Sequence, residues 1–129
     1  MRIDFNSIKP LYMQIAEGIE DDIIKGVLKE GDQSYSQLTI SKELNVNPAT
    51  AAKGINVLVH KGILEKQRGL SMIVAAGARE KLLEEKKENI IYTLAQELIE
   101  EAQKVGMNQE AVIKLIHKIY DKGGNKENE

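Results

Sequence analysis

The chain has 129 residues, of which 42% are hydrophobic and 29% charged, and its formal net charge is −2. This length fits one domain, or one domain with an appendage, and the composition is ordinary for a soluble globular protein. The chain has no cysteine, which excludes disulfides and thiolate metal sites. No apolar run approaches the ~18 residues of a membrane span, and the N-terminus lacks the apolar stretch of a signal peptide. We therefore expect a cytoplasmic protein.

Positive charge is concentrated in the middle of the chain. Residues 36–75 carry a net charge of +3, whereas residues 1–35 carry −3 and residues 76–129 carry −2. The total charge argues against a generic nucleic-acid-binding protein. A local excess of basic side chains, however, is what a surface that contacts phosphates requires.

Two helices are predicted before residue 45. Pro10 suits the first turn of a helix, since its missing N–H costs nothing there, and leucine and isoleucine residues at helical spacing follow as far as Gly26. Ser36 is a good N-cap for a second, shorter helix that ends near Leu44.

A third helix and two short strands follow. Asn47-Pro48 predicts a helix start, because asparagine caps well and proline is favoured at the first helical position; this helix ends near Gly62. Residues 63–67 and 72–75 are typical of short strands joined across residues 68–71. A hairpin directly after a helix-turn-helix is a wing, so the fold class expected is mainly α with a small β-hairpin wing.

The remaining sequence predicts two further helices. A long one runs from Arg79 to about Val105, Gly106 ends it, and Asn108 caps the second. Two helices alone bury little surface, so their apolar stripes need another partner. The simplest partner is the same two-helix unit of a second copy of the chain. The residues expected to form this dimer contact are Ile91, Leu94, Leu98, Ala102, Val112, Leu115, Ile116 and Ile119.

These elements divide the chain into three parts. We predict a winged helix-turn-helix DNA-binding domain over residues 1–76 and a two-helix dimerisation tail over residues 77–122. Gly123-Gly124 is expected to break the last helix, and the polar residues 123–129 are expected to be disordered.

Candidate DNA contacts lie on the third helix and the wing. The second helix of a helix-turn-helix places its N-terminal residues near base edges in the major groove, and a wing can reach the minor groove or the backbone. The candidates are Ser36, Asn47, Thr50, Lys53, Lys66, Gln67, Arg68 and Gly69. A simpler role stays open for several of them, since Ser36 and Asn47 can be caps alone and Lys53 can be a solvated lysine.

On these motifs the chain resembles the GntR family of bacterial regulators, in particular its short YtrA-type subfamily. The matching stretches are Pro10–Ile15 in the first helix, Gly31-Asp32, Leu44–Lys53 across the turn, Gly62–Glu65, and Glu101–Met107 in the tail. The resemblance implies a repressor that binds an inverted repeat as a homodimer, often at its own promoter beside genes for a membrane transporter. It also implies that Ser36, Thr50, Lys53 and Gly69 match positions that touch DNA.

The sequence departs from the family pattern at two positions. Leu38 stands where the family usually has a DNA-bonding arginine, and Ser71 stands where the wing commonly has a second glycine. An arginine that bonds guanine in bidentate fashion contributes ~1–3 kcal/mol of discrimination. Leu38 therefore predicts weaker or differently specified binding. A winged-helix adaptor that binds protein rather than DNA stays open as the alternative.

The sequence does not favour an enzyme. His60 and His117 are isolated from any nucleophile or carboxylate at a telling spacing, and no glycine-rich phosphate loop is present. We expect no cofactor and no metal. A small-molecule effector would have to bind at the dimer interface or between tail and motif, and the four tyrosines are the aromatic residues that could line such a site: Tyr12, Tyr35, Tyr92 and Tyr120.

Overall fold

The computed structural model describes the backbone of residues 1–67, 69 and 72–127. It forms two compact units, Met1–Glu85 and Lys86–Glu129. The elements of the first unit are α1 (Leu11–Lys25), α2 (Gln37–Leu44), α3 (Pro48–His60), β1 (Leu64–Lys66), β2 (Met72–Val74) and α4 (Ala78–Glu85). The predicted fold class, mainly helical with a small β-hairpin, is confirmed.

The core of the first unit lies between α1, α3 and the hairpin. Isoleucines on one face of α1 pack against α3, because they recur at the spacing that brings side chains onto one helix face. The large side chains that are completely or almost completely buried are Ile15, Ile19, Ile23, Leu58, Ile63, Leu64, Val74 and Leu82. Burial of this apolar surface stabilises the packing of α1, α3 and the hairpin.

The hairpin pairs antiparallel, with Glu65 opposite Ile73 in its centre. A third segment extends it, since Gln33 forms a β-bridge with Ile73. The backbone N–H of Ser34 donates to the carbonyl of Met72 at 2.8 Å. The chain ahead of α2 is therefore fixed to the wing by backbone hydrogen bonds that local patterning did not reveal.

Helix α4 belongs to the first unit. Its Ala78 and Leu82 are buried in the same core as α1 and α3, and the Arg79 guanidinium donates from Nε to the carbonyl of Ile24 at 3.0 Å. The first unit therefore ends at Glu85, rather than at residue 76 as the sequence pattern suggested.

The second unit begins with a π-helical segment, Lys86–Ile91, followed by α5 (Tyr92–Lys104) and α6 (Gln109–Glu127). The single long α-helix predicted from Arg79 to Val105 is thus three consecutive helical segments. A π turn is built from i→i+5 hydrogen bonds and commonly marks a functional site. The apolar spacing used for the prediction cannot separate it from a regular α-helical turn.

The turn between α5 and α6 has the predicted chemistry. Gly106 adopts a left-handed conformation (φ +75°), and the N–H of Met107 donates back to the carbonyl of Ala102 at 2.9 Å, which is the Schellman closure of a helix. The Asn108 side chain accepts from the N–H of Ala111 at 2.9 Å, so it caps α6.

Helix α6 continues through Gly123-Gly124 to Glu127, where the sequence predicted a break and a disordered tail. Each glycine in a helix interior costs only ~1 kcal/mol relative to alanine, which a helix can absorb near its end. No helix among the described residues is long and apolar enough to cross a membrane.

Candidate nucleic-acid interface

The start of α3 is exposed. Asn47, Ala49 and Lys53 are exposed and Thr50 is half-buried, whereas Ala51 on the opposite face is fully buried. Helix α3 therefore turns one face to the core and presents the predicted contact residues on the other. Small alanines among them leave the backbone open to close approach by a partner.

Ser36 and Asn47 both act as caps. The Ser36 hydroxyl accepts from the N–H of Thr39 at 3.0 Å and donates to the Thr39 hydroxyl at 2.8 Å. The Asn47 carboxamide oxygen accepts from the N–H of Ala49 at 2.8 Å. The Asn47 oxygen is thus occupied by the cap, and its NH₂ group is the donor that an external partner would meet.

The turn between α2 and α3 depends on an asparagine. Asn45 takes a left-handed conformation (φ 53°) at the C-cap of α2, and its N–H donates to the Ser41 carbonyl. The Ser41 hydroxyl in turn donates to the carbonyl of Val46 at 2.7 Å. Asparagine tolerates positive φ better than other side chains except glycine. This local chemistry sets the direction in which α3 leaves the turn.

Lys53 has an aromatic partner. Its Nζ lies 4.1 Å from the centroid of the Tyr12 ring, within the range of a cation–π interaction. Within the described ranges, no carboxylate forms an ion pair with Lys53. The sequence predicts Tyr12 only as a residue that could line an effector site, because its contact with Lys53 depends on the packing of α1 against α3.

The predicted wing residues are accessible. Lys66, Gln67 and Gly69 are all exposed, and Gly69 has a φ of +74°, which favours glycine at that position of the turn. Arg68, the remaining predicted wing contact, lies outside the described residues.

A cleft of about 180 Å³ lies where the start of α2, the outer face of α3 and the hairpin meet. Its lining includes the predicted contacts Ser36 and Lys66. Tyr35 and the exposed Asn56 also line it, and sequence reasoning missed Asn56 as a candidate. The fold therefore brings Ser36 of the helix-turn-helix and Lys66 of the wing to one cleft, whereas the other described candidates do not line it.

Leu38 is 61% exposed on α2. A leucine in that position is not part of the core, so the residue that replaces the family arginine remains available at the surface. Tyr35, three residues before Leu38, has a hydrogen-bond partner: its hydroxyl donates to the Asp22 carboxylate. That hydrogen bond, together with burial, raises the pKa of Tyr35 to about 12. It also connects the residues just before α2 to α1, which contains Asp22.

Lys61 is one of the basic residues of the positively charged segment 36–75, but its charge is paired with carboxylates. Its Nζ lies 2.7 Å from Glu20 Oε2 and 2.8 Å from Glu85 Oε1. Burial lowers the pKa of Lys61, but its hydrogen bonds to the two carboxylates outweigh this and raise it. In the part of the chain that the structure describes, Lys42, Lys53 and Lys66 are the central basic side chains that remain exposed without an ion pair.

The predicted dimer residues lie on the hairpin of α5 and α6 and the end of the π segment. Ala102 and Val112 are buried within the hairpin, and the other six are exposed: Ile91, Leu94, Leu98, Leu115, Ile116 and Ile119. A groove of about 510 Å³ runs along the hairpin, lined mainly by apolar side chains that include Ile99 and Ile113. Further large apolar residues, Ile90 and Tyr92 among them, are exposed nearby.

Known proteins share both sequence and structure with this chain. The HTH-type transcriptional repressor YtrA of Bacillus subtilis (strain 168) is 32% identical over 128 residues, which cover 98% of each protein. A GntR family transcriptional regulator from Listeria monocytogenes superposes with a TM-score of 0.68 and 28% identity over 88% of this chain and 98% of that one. No protein-family model matches the chain.

This chain belongs to the GntR family of transcriptional regulators and is of the YtrA type. The predicted resemblance is confirmed, and the GntR family consists of regulators rather than enzymes. The AraR DNA-binding domain, solved in complex with operator ORX1, is also similar in structure, with a TM-score of 0.52 and 25% identity. The match covers 58% of this chain and 93% of the AraR chain.

Proposed function

We propose that this GntR-type protein is a homodimeric repressor that binds an inverted-repeat operator through the helix-turn-helix and wing of each subunit. We further propose that the operator lies at its own promoter and that the regulated genes include those of a membrane transporter. The observation that carries the proposal is the cleft where α2, α3 and the wing meet, which Ser36 and the exposed Lys66 line, on a fold shared with DNA-binding regulators; Lys53 is exposed on α3.

The surface of the first unit supports DNA as the ligand. The exposed lysines of the central block have no intramolecular ion pair within the described residues, so their charge is available for phosphates. Asn47, Thr50 and Lys53 stand in the first turns of α3, from which a recognition helix meets base edges. Ser36, Gln67, Arg68 and Gly69 complete the proposed DNA-binding set.

The second unit supports a homodimer. Its exposed leucines and isoleucines include six of the predicted dimer residues, and large exposed apolar patches mark interaction sites. A second copy offers a matching patch by symmetry, and a two-fold dimer matches an inverted repeat. YtrA, which is similar over the whole length, is a repressor by name, and this supports the sign of regulation that we propose.

DNA binding as a function of salt tests the proposal. A labelled duplex from the region upstream of the protein's own gene is titrated by fluorescence anisotropy at several salt concentrations, with a shuffled duplex as the control. Release of counterions predicts a linear fall of log affinity with log salt, of slope about −0.9 per phosphate neutralised. The upstream duplex should bind ~10³-fold or more tightly than the shuffled one.

A protein that binds neither duplex in a salt-dependent manner would instead favour the adaptor function, for which the exposed Leu38 is the supporting observation. If both duplexes bound equally, the protein would still be a DNA-binding protein, but the proposal that its operator lies upstream of its own gene would fail.

A further inference from the structure

The contact between Tyr12 and Lys53 joins two elements that are distant in sequence. Tyr12 is the second residue of α1, and Lys53 lies in the middle of α3. The Lys53 ammonium stands 4.1 Å from the centre of the aromatic ring. Tyr12 is half-buried and Lys53 is exposed, so the ring is the fixed partner and the lysine head is the accessible one.

The packing of α1 on α3 builds this contact. Gly54, the residue after Lys53, has no room for a side chain, because a β-carbon there would lie 2.9 Å from the Tyr12 carbonyl oxygen and 2.9 Å from Ile15 Cγ2. The two helices are therefore in close contact beside Tyr12. Lys53 leaves α3 at the edge of that approach, and its aliphatic stem can follow the start of α1 to the ring.

The contact with the Tyr12 ring does not neutralise the positive charge of Lys53. An ion pair with a carboxylate would neutralise the lysine, but within residues 1–67, 69 and 72–127 none is present. A cation–π contact restrains the ammonium while its N–H donors stay free for other acceptors. A lysine side chain that is already ordered loses less conformational entropy when it binds a phosphate.

We propose that Tyr12 is a positioning residue for DNA binding, which holds the Lys53 ammonium ready for a phosphate beside α3. This inference rests on the proposed function, in which Lys53 contacts DNA. Tyr12 acts through Lys53 and does not itself need to touch the nucleic acid.

The test is a double-mutant cycle on the whole protein with the upstream duplex. Tyr12→Leu removes the ring, Tyr12→Phe retains it, and Lys53→Met removes the charge while keeping a long apolar stem. We expect Tyr12→Leu to weaken binding about two- to fivefold for each half-site and Tyr12→Phe to bind like the wild type. Lys53→Met should reduce the salt slope by about 1 for each subunit, which is about 2 for the proposed dimer, and Tyr12→Leu should have no further effect in the Lys53→Met background.

A role in folding alone would give a different result. It would weaken binding equally in both backgrounds, and either that result or unchanged binding by Tyr12→Leu would overturn the inference. Circular-dichroism melting of each variant identifies any loss of folded protein at the assay temperature.

A second readout requires no DNA. In the free protein, the ring current of Tyr12 should shift the Lys53 ε-methylene protons upfield in an NMR spectrum, and Tyr12→Leu should abolish the shift. If the shift is present but the wild type binds no DNA, the proposed function fails although the contact exists. If the wild type binds DNA but the shift is absent, the inference alone fails.

Discussion

Gly54 of α3 lies directly against Ile15 of α1: a β-carbon at position 54 would stand 2.9 Å from Ile15 Cγ2. Ile15 is completely buried, and the carbonyl oxygen of Tyr12 is equally close to the same point. A backbone atom cannot rotate away as a side chain can. The distance between α1 and the recognition helix α3 is therefore set by the absence of a side chain at one position.

Gly54→Ala should destabilise the protein. Overpacking of a core costs about 1–3 kcal/mol, and the gain in helix propensity of about 1 kcal/mol offsets only part of it. We expect a net loss of up to about 2 kcal/mol, measured by urea unfolding. The matched control is Gly18→Ala in α1, where the new methyl group meets only the side chain of Met1. That side chain can move, so the control should be neutral or stabilising; equal losses in both variants would contradict the close approach.

Lys61→Met should destabilise the first unit by about 1–3 kcal/mol, because it leaves the Glu20 carboxylate, whose side chain is only 12% exposed, without its partner. Thermal and urea unfolding measure the effect. The control is Lys9→Met, which breaks the exposed pair with Glu17 and should change stability by less than about 0.5 kcal/mol. If both substitutions had the same small effect, Lys61 would not join α1 and α4.

Tyr35→Phe should lower stability at neutral pH by about 1–3 kcal/mol through loss of the hydrogen bond to the Asp22 carboxylate. The pKa of Tyr35 is raised from 10.0 to about 12 in the folded protein. The stabilisation is therefore fully present below about pH 10 and is lost as the pH rises through 12. The difference between wild type and variant, measured by urea unfolding, should shrink across this range.

The control for the Tyr35 experiment is Tyr120→Phe, which removes an exposed hydroxyl from α6. It should not alter the pH dependence between 10 and 12. A wild-type stability that falls no more steeply than that of Tyr35→Phe in this range would refute the hydrogen bond.

Leu98→Asp should dissociate the proposed dimer and abolish operator binding at the same time, because it places a charge among the exposed apolar residues of α5. Gel filtration with light scattering measures the mass, and the anisotropy assay measures binding. Gln96→Asp is the matched control, since its position lies ~160° around the helix from Leu98 and the new residue is the same. If Leu98→Asp remained a dimer, the hairpin of α5 and α6 would not be the dimer interface.

Leu38→Arg should strengthen operator binding, since it restores the arginine that the family pattern has at this exposed position of α2. One bidentate contact with guanine per subunit predicts a gain of about 1–3 kcal/mol for each half-site and a steeper salt slope. Val27→Arg, which also replaces an exposed apolar residue, controls for added charge. Equal effects of the two substitutions would mean that position 38 lies away from DNA.

Sequence alone determined the elements whose signals are local. Asn47-Pro48 places the start of α3, and Gly106 with Asn108 places the turn between α5 and α6, because a cap is formed by atoms only a few residues apart. The order of helices and strands followed from these signals and from apolar periodicity, and the family resemblance matched four of the candidate DNA contacts to positions that touch DNA.

Only the tertiary structure decided which distant residues meet. The bridge from Gln33 to Ile73, the ion pairs of Lys61 and the contact of Tyr12 with Lys53 each join elements far apart in the chain. Apolar periodicity also failed to predict the π segment, because it does not distinguish i→i+5 from i→i+4 hydrogen bonds. It failed to predict that α6 continues through Gly123-Gly124, because a helix can absorb the cost of a glycine near its end. Which face of each helix is buried can be deduced from sequence, but the partner against which it packs depends on the whole fold.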